Sequence, residues 1–204
     1  MSIISIEGNI GSGKSTLLKM LAETNHDVVT LQEPVDMWNS VKDENGKTII
    51  ELYYADQKRW AFAFQMMAFI TRARILREAI KNNPGKTIVT ERSVFTDKNI
   101  FATMLHDSGI LSDVEYSIYL RWFDELTEGI TIDKVVYVRT EPSECEWRIK
   151  CRNRTGETIP IDYLESCHEY HEKWLRECDT KLTLDGELST DEMLDRIKPF
   201  LLCS

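Results

Sequence analysis

The run Gly8-Asn9-Ile10-Gly11-Ser12-Gly13-Lys14-Ser15-Thr16 is a full G-x-x-x-x-G-K-[ST] pattern. Glycines in such a loop let backbone N–H groups turn inward around phosphate oxygens, and the N-terminus of a following helix adds partial positive charge. Lys14 supplies a full charge, and the Ser15 hydroxyl can hold Mg²⁺. The alternative is a glycine-rich turn joining strand to helix. It is disfavoured because a strand-like run, Ile3 to Glu7, precedes the loop and a helix-like stretch follows it.

A phosphate cradle alone does not separate a kinase from a switch or a motor, so the other strand ends must decide. The second β-branched run ends in Leu31-Gln32-Glu33-Pro34-Val35. Ligands of an open parallel sheet sit beyond the carboxyl ends of its strands, which makes Glu33 a candidate general base for a hydroxyl acceptor. A solvated acid before a turn-forming proline is the plainer reading. The third run ends in Thr90-Glu91-Arg92-Ser93. There Glu91 can complete Mg²⁺ ligation with Ser15, and the planar guanidinium of Arg92 can hold a phosphoryl group or orient a neighbouring acid. A surface ion pair is the alternative.

Between Trp60 and Ile70, Gln65 is the one polar residue in eleven positions, so the stretch reads as a helix buried all round. A buried amide needs a partner, and a nucleobase edge matches its paired donor and acceptor, although a glutamine satisfied within the protein also would. Helical spacing puts Phe64, Gln65, Ala68 and Arg72 on one face, a candidate base pocket. Late in the chain, Arg148-Ile-Lys-Cys-Arg-Asn-Arg154 carries four positive charges in seven residues. Followed by Thr155-Gly156, it fits a lid over about 148–158 that closes basic side chains on phosphates; a solvated helix face is the alternative. His168 and His171 lack the spacing of a zinc protease and read as surface residues, and the cysteines read as packing groups.

The elements that must position these groups follow from periodicity. Strands are expected at 3–7, 28–32, 87–91, 135–139 and 182–185, and helices near 14–24, 58–81, 95–107, 112–127, 142–153, 161–177 and 190–201. That alternation is an α/β pattern, one five-stranded parallel sheet flanked by helices, with Asn39 to Thr48 as an exposed loop. A chain of 204 residues, 42% hydrophobic and 29% charged, reads as a single globular domain over 1–204. With 25 basic against 34 acidic residues and a net charge of −9, the chain is not one that wraps nucleic acid. Five cysteines without a C-x-x-C pair indicate neither a disulfide framework nor a zinc ribbon, and fit a reducing compartment. Met1 leads straight into a strand, with no signal layout and no 18-residue apolar run, so a soluble cytoplasmic protein without mitochondrial import is expected.

Taken together, the chain resembles the deoxynucleoside kinase family, the P-loop group that includes deoxycytidine, deoxyguanosine and insect multisubstrate kinases. The likeness runs nearly end to end. It is carried by Gly8 to Thr16, Glu33-Pro34-Val35, Trp38, Tyr54, Arg59 to Gln65, Glu91-Arg92-Ser93, Asp97, Ile100-Phe101-Ala102, Arg148 to Arg154 and Ile159-Pro160. The resemblance implies in-line transfer of the ATP γ-phosphoryl group to a deoxynucleoside 5′-hydroxyl, with Mg²⁺, in nucleotide salvage. Glu33 would take the proton and Arg92 would steady that centre. Tyr54 with Glu157 would hold the 3′-hydroxyl, and Gln65 would read the base between Phe64, Phe101 and Trp38. Arg148, Arg152 and Arg154 would form the lid over the ATP phosphates.

Family members that accept deoxycytidine or deoxypurines tend to have a small residue, an arginine and an aspartate where this chain has Ala68, Arg72 and Asp97. Those three substrates are therefore expected over thymidine. A homodimer through long helices is also implied. The lid stretch Arg154 to Pro160 is one residue shorter than in animal members, and a shorter connection after Leu175 puts the ATP adenine near Asp185 to Leu188. The rivals are a thymidylate-type monophosphate kinase, which commonly carries Asp-Arg where this chain has Glu91-Arg92, and a nucleotide switch, for which the N-K-x-D motif is missing.

Overall fold

A computed structural model describes residues 1–152 and 159–202. Five parallel strands form one sheet in the order β2-β3-β1-β4-β5: β1 Ile3–Glu7, β2 Val28–Leu31, β3 Thr87–Glu91, β4 Lys134–Arg139 and β5 Lys181–Asp185. Alternation along the central strand sorts its side chains to two faces. Ile4 and Ile6 pack with Val89 and Val136 against α1 (Lys14–Thr24) and α10 (Thr190–Leu202). Ile3 and Ile88 pack on the opposite face against Phe69 and Leu76 of α4 (Gln57–Asn82) and Tyr119 and Phe123 of α7 (Asp113–Thr127). Each fully buried aliphatic side chain of this kind contributes about 1.5–3 kcal/mol, which holds β1 rigid at the point where the phosphate loop leaves it.

The strands and long helices agree with the sequence expectation to within a few residues. Two short helices between β2 and α4 are additional, α2 Val35–Asn39 and α3 Ile49–Ala55. Thr48 and Glu51 close a reciprocal capping box that starts α3, so the expected loop of residues 39–48 begins inside one helix and ends at the cap of another. The expected helix over 95–107 is three pieces: α5 Val94–Thr96, a π-helical segment Asp97–Ala102 and α6 Thr103–Asp107. A π turn widens the helix, and both Asp97 and Phe101 of that segment line the same cavity as Gln65. The helix expected to be buried all round is not: Gln65 is 2% exposed, but Ile70 is 40% exposed and Ala63 also faces outward. Composition alone cannot say which face a neighbour covers.

α8 (Pro142–Arg152) and α9 (Ile161–Leu175) complete the fold, with α9 packed beside β4. Among the described residues no helix is long and apolar enough to cross a membrane. Cys145 and Cys167 are buried, as packing groups should be, whereas Cys151 is exposed.

Gly8 has φ +145 and an added Cβ would lie 2.5 Å from the Val138 carbonyl oxygen, whereas Gly46 has φ +81 and open space around it. Gly8→Ala is expected to cost about 2 kcal/mol or more and lower Tm by on the order of 5 °C, against about 1 kcal/mol for Gly46→Ala. Thermal melts followed by circular dichroism check this. Equal losses at the two positions would show that the contact with β4 is immaterial.

Candidate active site

Parallel pairing sets Ile6 opposite Glu91, so the loop leaving β1 and the residues following β3 emerge side by side. Lys14, at the start of α1, is buried, and its Nζ donates to the Asn9 carbonyl at 2.6 Å and to Ser12 Oγ at 3.3 Å. The Asn9 side chain in turn donates to the Leu164 carbonyl at 2.8 Å, tying the loop to α9. An added Cβ on Gly11 would lie 2.7 Å from the Cys145 carbonyl oxygen, so the backbone has to be bare where it crosses α8. Burial pushes the Lys14 ammonium down to about 8, helped by Arg92 and opposed by Glu91 and Glu33.

Glu33 lies just past β2, held from two sides. Arg92 NH1 reaches both its carboxylate oxygens at 2.9 and 3.0 Å, and Arg72 NH2 reaches Oε1 at 2.9 Å. Arg72 also donates through Nε to Asp97 Oδ2 at 2.9 Å and through NH1 to the Glu91 carbonyl at 2.8 Å. Burial by itself would raise the Glu33 pKa, but the two guanidiniums outweigh it and hold the carboxyl down at about 2. Burial pushes Asp97 up to about 6, since its partner Arg72 is shared with Glu33. Arg92 has φ 61, the one non-glycine in the left-handed region among the described residues, and this turn returns its side chain toward Glu33.

The pair Glu33–Arg92 stands between two cavities. One, of about 790 Å³, is lined by the loop from Ile10 through Thr16, with Lys14, Glu91, Arg148 and Arg152. The other, of about 360 Å³, is lined by Trp38, Tyr54, Phe64, Gln65, Ala68, Arg72, Asp97 and Phe101. Glu33 and Arg92 line both. The second cavity is walled by aromatic rings: Trp38 meets Phe64 edge-on at 5.6 Å, and Phe101 lies 5.2 Å from the Arg92 guanidinium. The Gln65 side chain forms no hydrogen bond with another described residue, in a pocket where an unpaired amide is costly.

Ser15 Oγ donates to Glu91 Oε1 at 2.5 Å, and Glu91 Oε2 accepts from the Glu33 N–H at 3.4 Å. A hydroxyl and one carboxylate at the phosphate loop fit Mg²⁺, which takes few protein oxygens and completes its shell with phosphate and water. Arg148 is pinned on the donor side, with Nε on Glu144 at 2.7 Å, NH1 on the Ser12 carbonyl at 3.4 Å and NH2 on the Gly186 carbonyl at 2.9 Å. Arg154 and Glu157 lie outside the described residues.

Three further groups belong to this site. Tyr53 and Tyr163 line the aromatic cavity with their hydroxyls 3.0 Å apart, joining α3 to α9, and Asn39 lines both cavities. The Thr48-x-x-Glu51 signature could have located the start of α3 and hence Tyr53 beside Tyr54. No local signal marks Tyr163 or Asn39. His171, expected at the surface, is fully buried, with its ring stacked on Tyr137 and Nδ1 2.6 Å from the Cys167 carbonyl. Burial pushes its pKa down to about 3. The polar residues around it in sequence hid an inward-facing position on α9. His168, also expected at the surface, is only partly covered, at 14% exposure.

The family model for deoxynucleoside kinase matches residues 4–198. The chain belongs to the deoxynucleoside kinase family. It is 45% identical over 177 residues to a probable deoxycytidine kinase of Fowlpox virus (strain NVSL), covering 85% of this chain and 72% of the viral protein. It is 34% identical over 203 residues to the deoxycytidine kinase of Homo sapiens, covering 89% and 78% respectively. Thymidine kinase 2, mitochondrial, of Homo sapiens is 36% identical over 177 residues, covering 85% of this chain and 64% of that protein. The chain is thus a nucleoside kinase that uses ATP as phosphate donor, and the monophosphate-kinase and switch readings fall away.

A lysine that is partly neutral near pH 8 when free must be protonated to meet ATP phosphates. Binding is therefore expected to take up protons above about pH 8, with the KM for ATP rising up to about tenfold per pH unit there and flat below. Calorimetric titration with MgATP in buffers of different ionisation enthalpy checks the uptake. Affinity independent of pH up to about 9.5 would contradict it.

Proposed function

We propose that this kinase transfers the ATP γ-phosphoryl group in line to the 5′-hydroxyl of a deoxynucleoside, favouring deoxycytidine, deoxyadenosine and deoxyguanosine over thymidine. The observation that carries the reading is Glu33, ionised and fixed by two arginines, at the common wall of the phosphate cavity and the aromatic cavity. Glu33 accepts the 5′-hydroxyl hydrogen bond and receives its proton as the new P–O bond forms and the γ-phosphorus bond to the bridging oxygen breaks, ADP leaving on the opposite side. Its low pKa makes it a weak base that orients the nucleophile and takes the proton late, as suits a loose transition state. Arg92 and Lys14 stabilise the charge on the transferring group. Ser15 and Glu91 would hold Mg²⁺, which would supply positive charge against the phosphates. Arg148 and Arg152, with Arg154, close on the phosphates, and the adenine rests near Asp185 to Leu188.

Base choice rests on the other end of the cavity. Gln65 offers a donor and an acceptor to the base edge, Phe64, Phe101 and Trp38 sandwich its ring, and Tyr54 with Glu157 holds the 3′-hydroxyl. The Arg72–Asp97 pair beside Ala68 presents an acceptor to an amino-bearing base and narrows the space for a thymine methyl. The pair's hydrogen bonds would be left incomplete by thymine, which lacks the exocyclic amine. Val114, Ile118 and Trp122 on α7 are exposed, at 69%, 42% and 49%, and Ile70 of α4, the helix that α7 packs on, is exposed too, which supports a homodimer through these helices. Cysteines without disulfides among the described residues support a reducing, cytoplasmic setting.

Radiolabelled ATP with the four deoxynucleosides and their monophosphates tests the assignment. Deoxycytidine or deoxypurine 5′-monophosphates are expected, with Glu33→Gln reducing kcat by about 100-fold or more. Phosphorylation of monophosphates alone would sink the assignment. The combined Ala68→Val, Arg72→Met, Asp97→Ala variant is expected to raise kcat/KM for thymidine by about tenfold or more while lowering it for deoxycytidine. No gain on thymidine would refute the specificity argument.

A further inference from the structure

Glu7 closes β1 one residue before the phosphate loop, is fully buried, and forms no ion pair among the described residues. A buried carboxylate without a cation is costly unless its oxygens are fully hydrogen-bonded. Here Oε1 accepts from Ser5 Oγ at 2.7 Å and from Ser93 Oγ at 2.9 Å, and Oε2 accepts from Thr96 Oγ1 at 2.5 Å. Nothing in the transfer chemistry described above uses this group.

We propose that Glu7 is a positioning residue for phosphoryl transfer: through Ser93 and Thr96 it locks the backbone turn that aims Arg92 at Glu33. A hydroxyl has one proton and two lone pairs. Thr96 Oγ1 accepts the Ser93 N–H at 3.0 Å and Ser93 Oγ accepts the Thr96 N–H at 3.4 Å, so both protons are directed to Glu7. The two hydroxyls, 3.3 Å apart, therefore both point at one acceptor instead of at each other. A carboxylate receives both protons at once; an amide in its place would donate to Thr96 Oγ1 instead of accepting from it, turn that hydroxyl's proton toward Ser93 Oγ and so rearrange the bonds that tie this turn to β1.

The consequence falls on the preceding residue. Arg92 is held on its N-terminal side by its N–H bond to the Ile6 carbonyl at 2.9 Å and on its C-terminal side by the locked Ser93. Between these two fixed points it takes φ 61, a conformation an arginine leaves unless its flanks hold it. That turn sends the guanidinium back to Glu33 and to the Gly8 carbonyl at 3.5 Å. One carboxylate thus fixes the start of the donor loop and the arginine of the acceptor centre relative to each other.

This inference rests on the transfer reading above, and a double-mutant cycle tests it on the full chain. Wild type, Glu7→Gln, Arg92→Lys and the double variant are assayed with ATP and whichever deoxynucleoside wild type phosphorylates best, with thermal melts alongside. Glu7→Gln is expected to lower kcat by about 10- to 100-fold with KM for ATP within about twofold, and to cost less than about threefold in the Arg92→Lys background. A purely structural role would lower Tm and give losses that multiply. A folded Glu7→Gln with wild-type kcat, or multiplying losses, overturns the proposal while wild-type activity still upholds the transfer reading. Wild type inactive on every deoxynucleoside overturns both. If Glu7→Gln does not fold, Thr96→Val, which removes one of the three hydroxyls, is carried through the same cycle and judged by the same criteria.

Discussion

Glu33 is a carboxylate largely withdrawn from water, and without cations beside it such a group would tend to take up a proton and lose its charge. The guanidiniums of Arg72 and Arg92 prevent that, and Asp97 balances the second of them, so two acids and two bases form a locally neutral cluster. Neither arginine can be replaced by a point charge, because each must satisfy several acceptors at fixed angles. Arg72 alone meets Asp97, Glu33 and the Glu91 carbonyl. Removing one member alone would leave an uncompensated buried ion, whereas Arg72 and Asp97, opposite in charge, can be exchanged together and leave Glu33 paired with Arg92.

That unit draws on four separate elements. Glu33 follows β2, Arg72 comes from the middle of α4, Arg92 follows β3, and Asp97 opens the π-helical segment. Parallel pairing of β2, β3 and β1 brings the first and third together with the phosphate loop, and the packing of α4 on the sheet supplies the second. The rigid apolar core is therefore what sets charge-to-charge distances of about 3 Å across the site. Low dielectric on the aromatic side strengthens each of these contacts, while the loop side stays polar and open to a triphosphate.

The division of labour between the two cavities follows from the same placement. Lys14 and the arginines of α8 line the larger cavity with the glycine loop, a lining that suits an anionic group. Rings and one amide line the other cavity, a lining that suits a flat, polar-edged base. Glu33 and Arg92 stand in the wall that the two cavities share, which is what the proposed transfer between them requires.

The phosphate loop was legible because every part of its function is local: glycines, lysine and hydroxyl act within nine consecutive residues, between a strand and a helix whose periods are plain. The five strands were legible for the same reason, as buried parallel strands are short unbroken apolar runs. Charge at strand ends marked Glu33, Glu91 and Arg92, and the isolated amide marked Gln65. What these residues do to one another was not legible. Arg72 and Glu33 are 39 positions apart, and their contact is decided by how α4 lies on the sheet. The π-helical segment, the inward turn of His171 and the meeting of Tyr53 with Tyr163 are likewise outcomes of packing between elements, which periodicity along one element cannot encode. The amino-acid order thus determined which chemistries were available and on which elements. The tertiary structure decided which of them share a site, because only packing sets through-space distance between residues far apart in the chain.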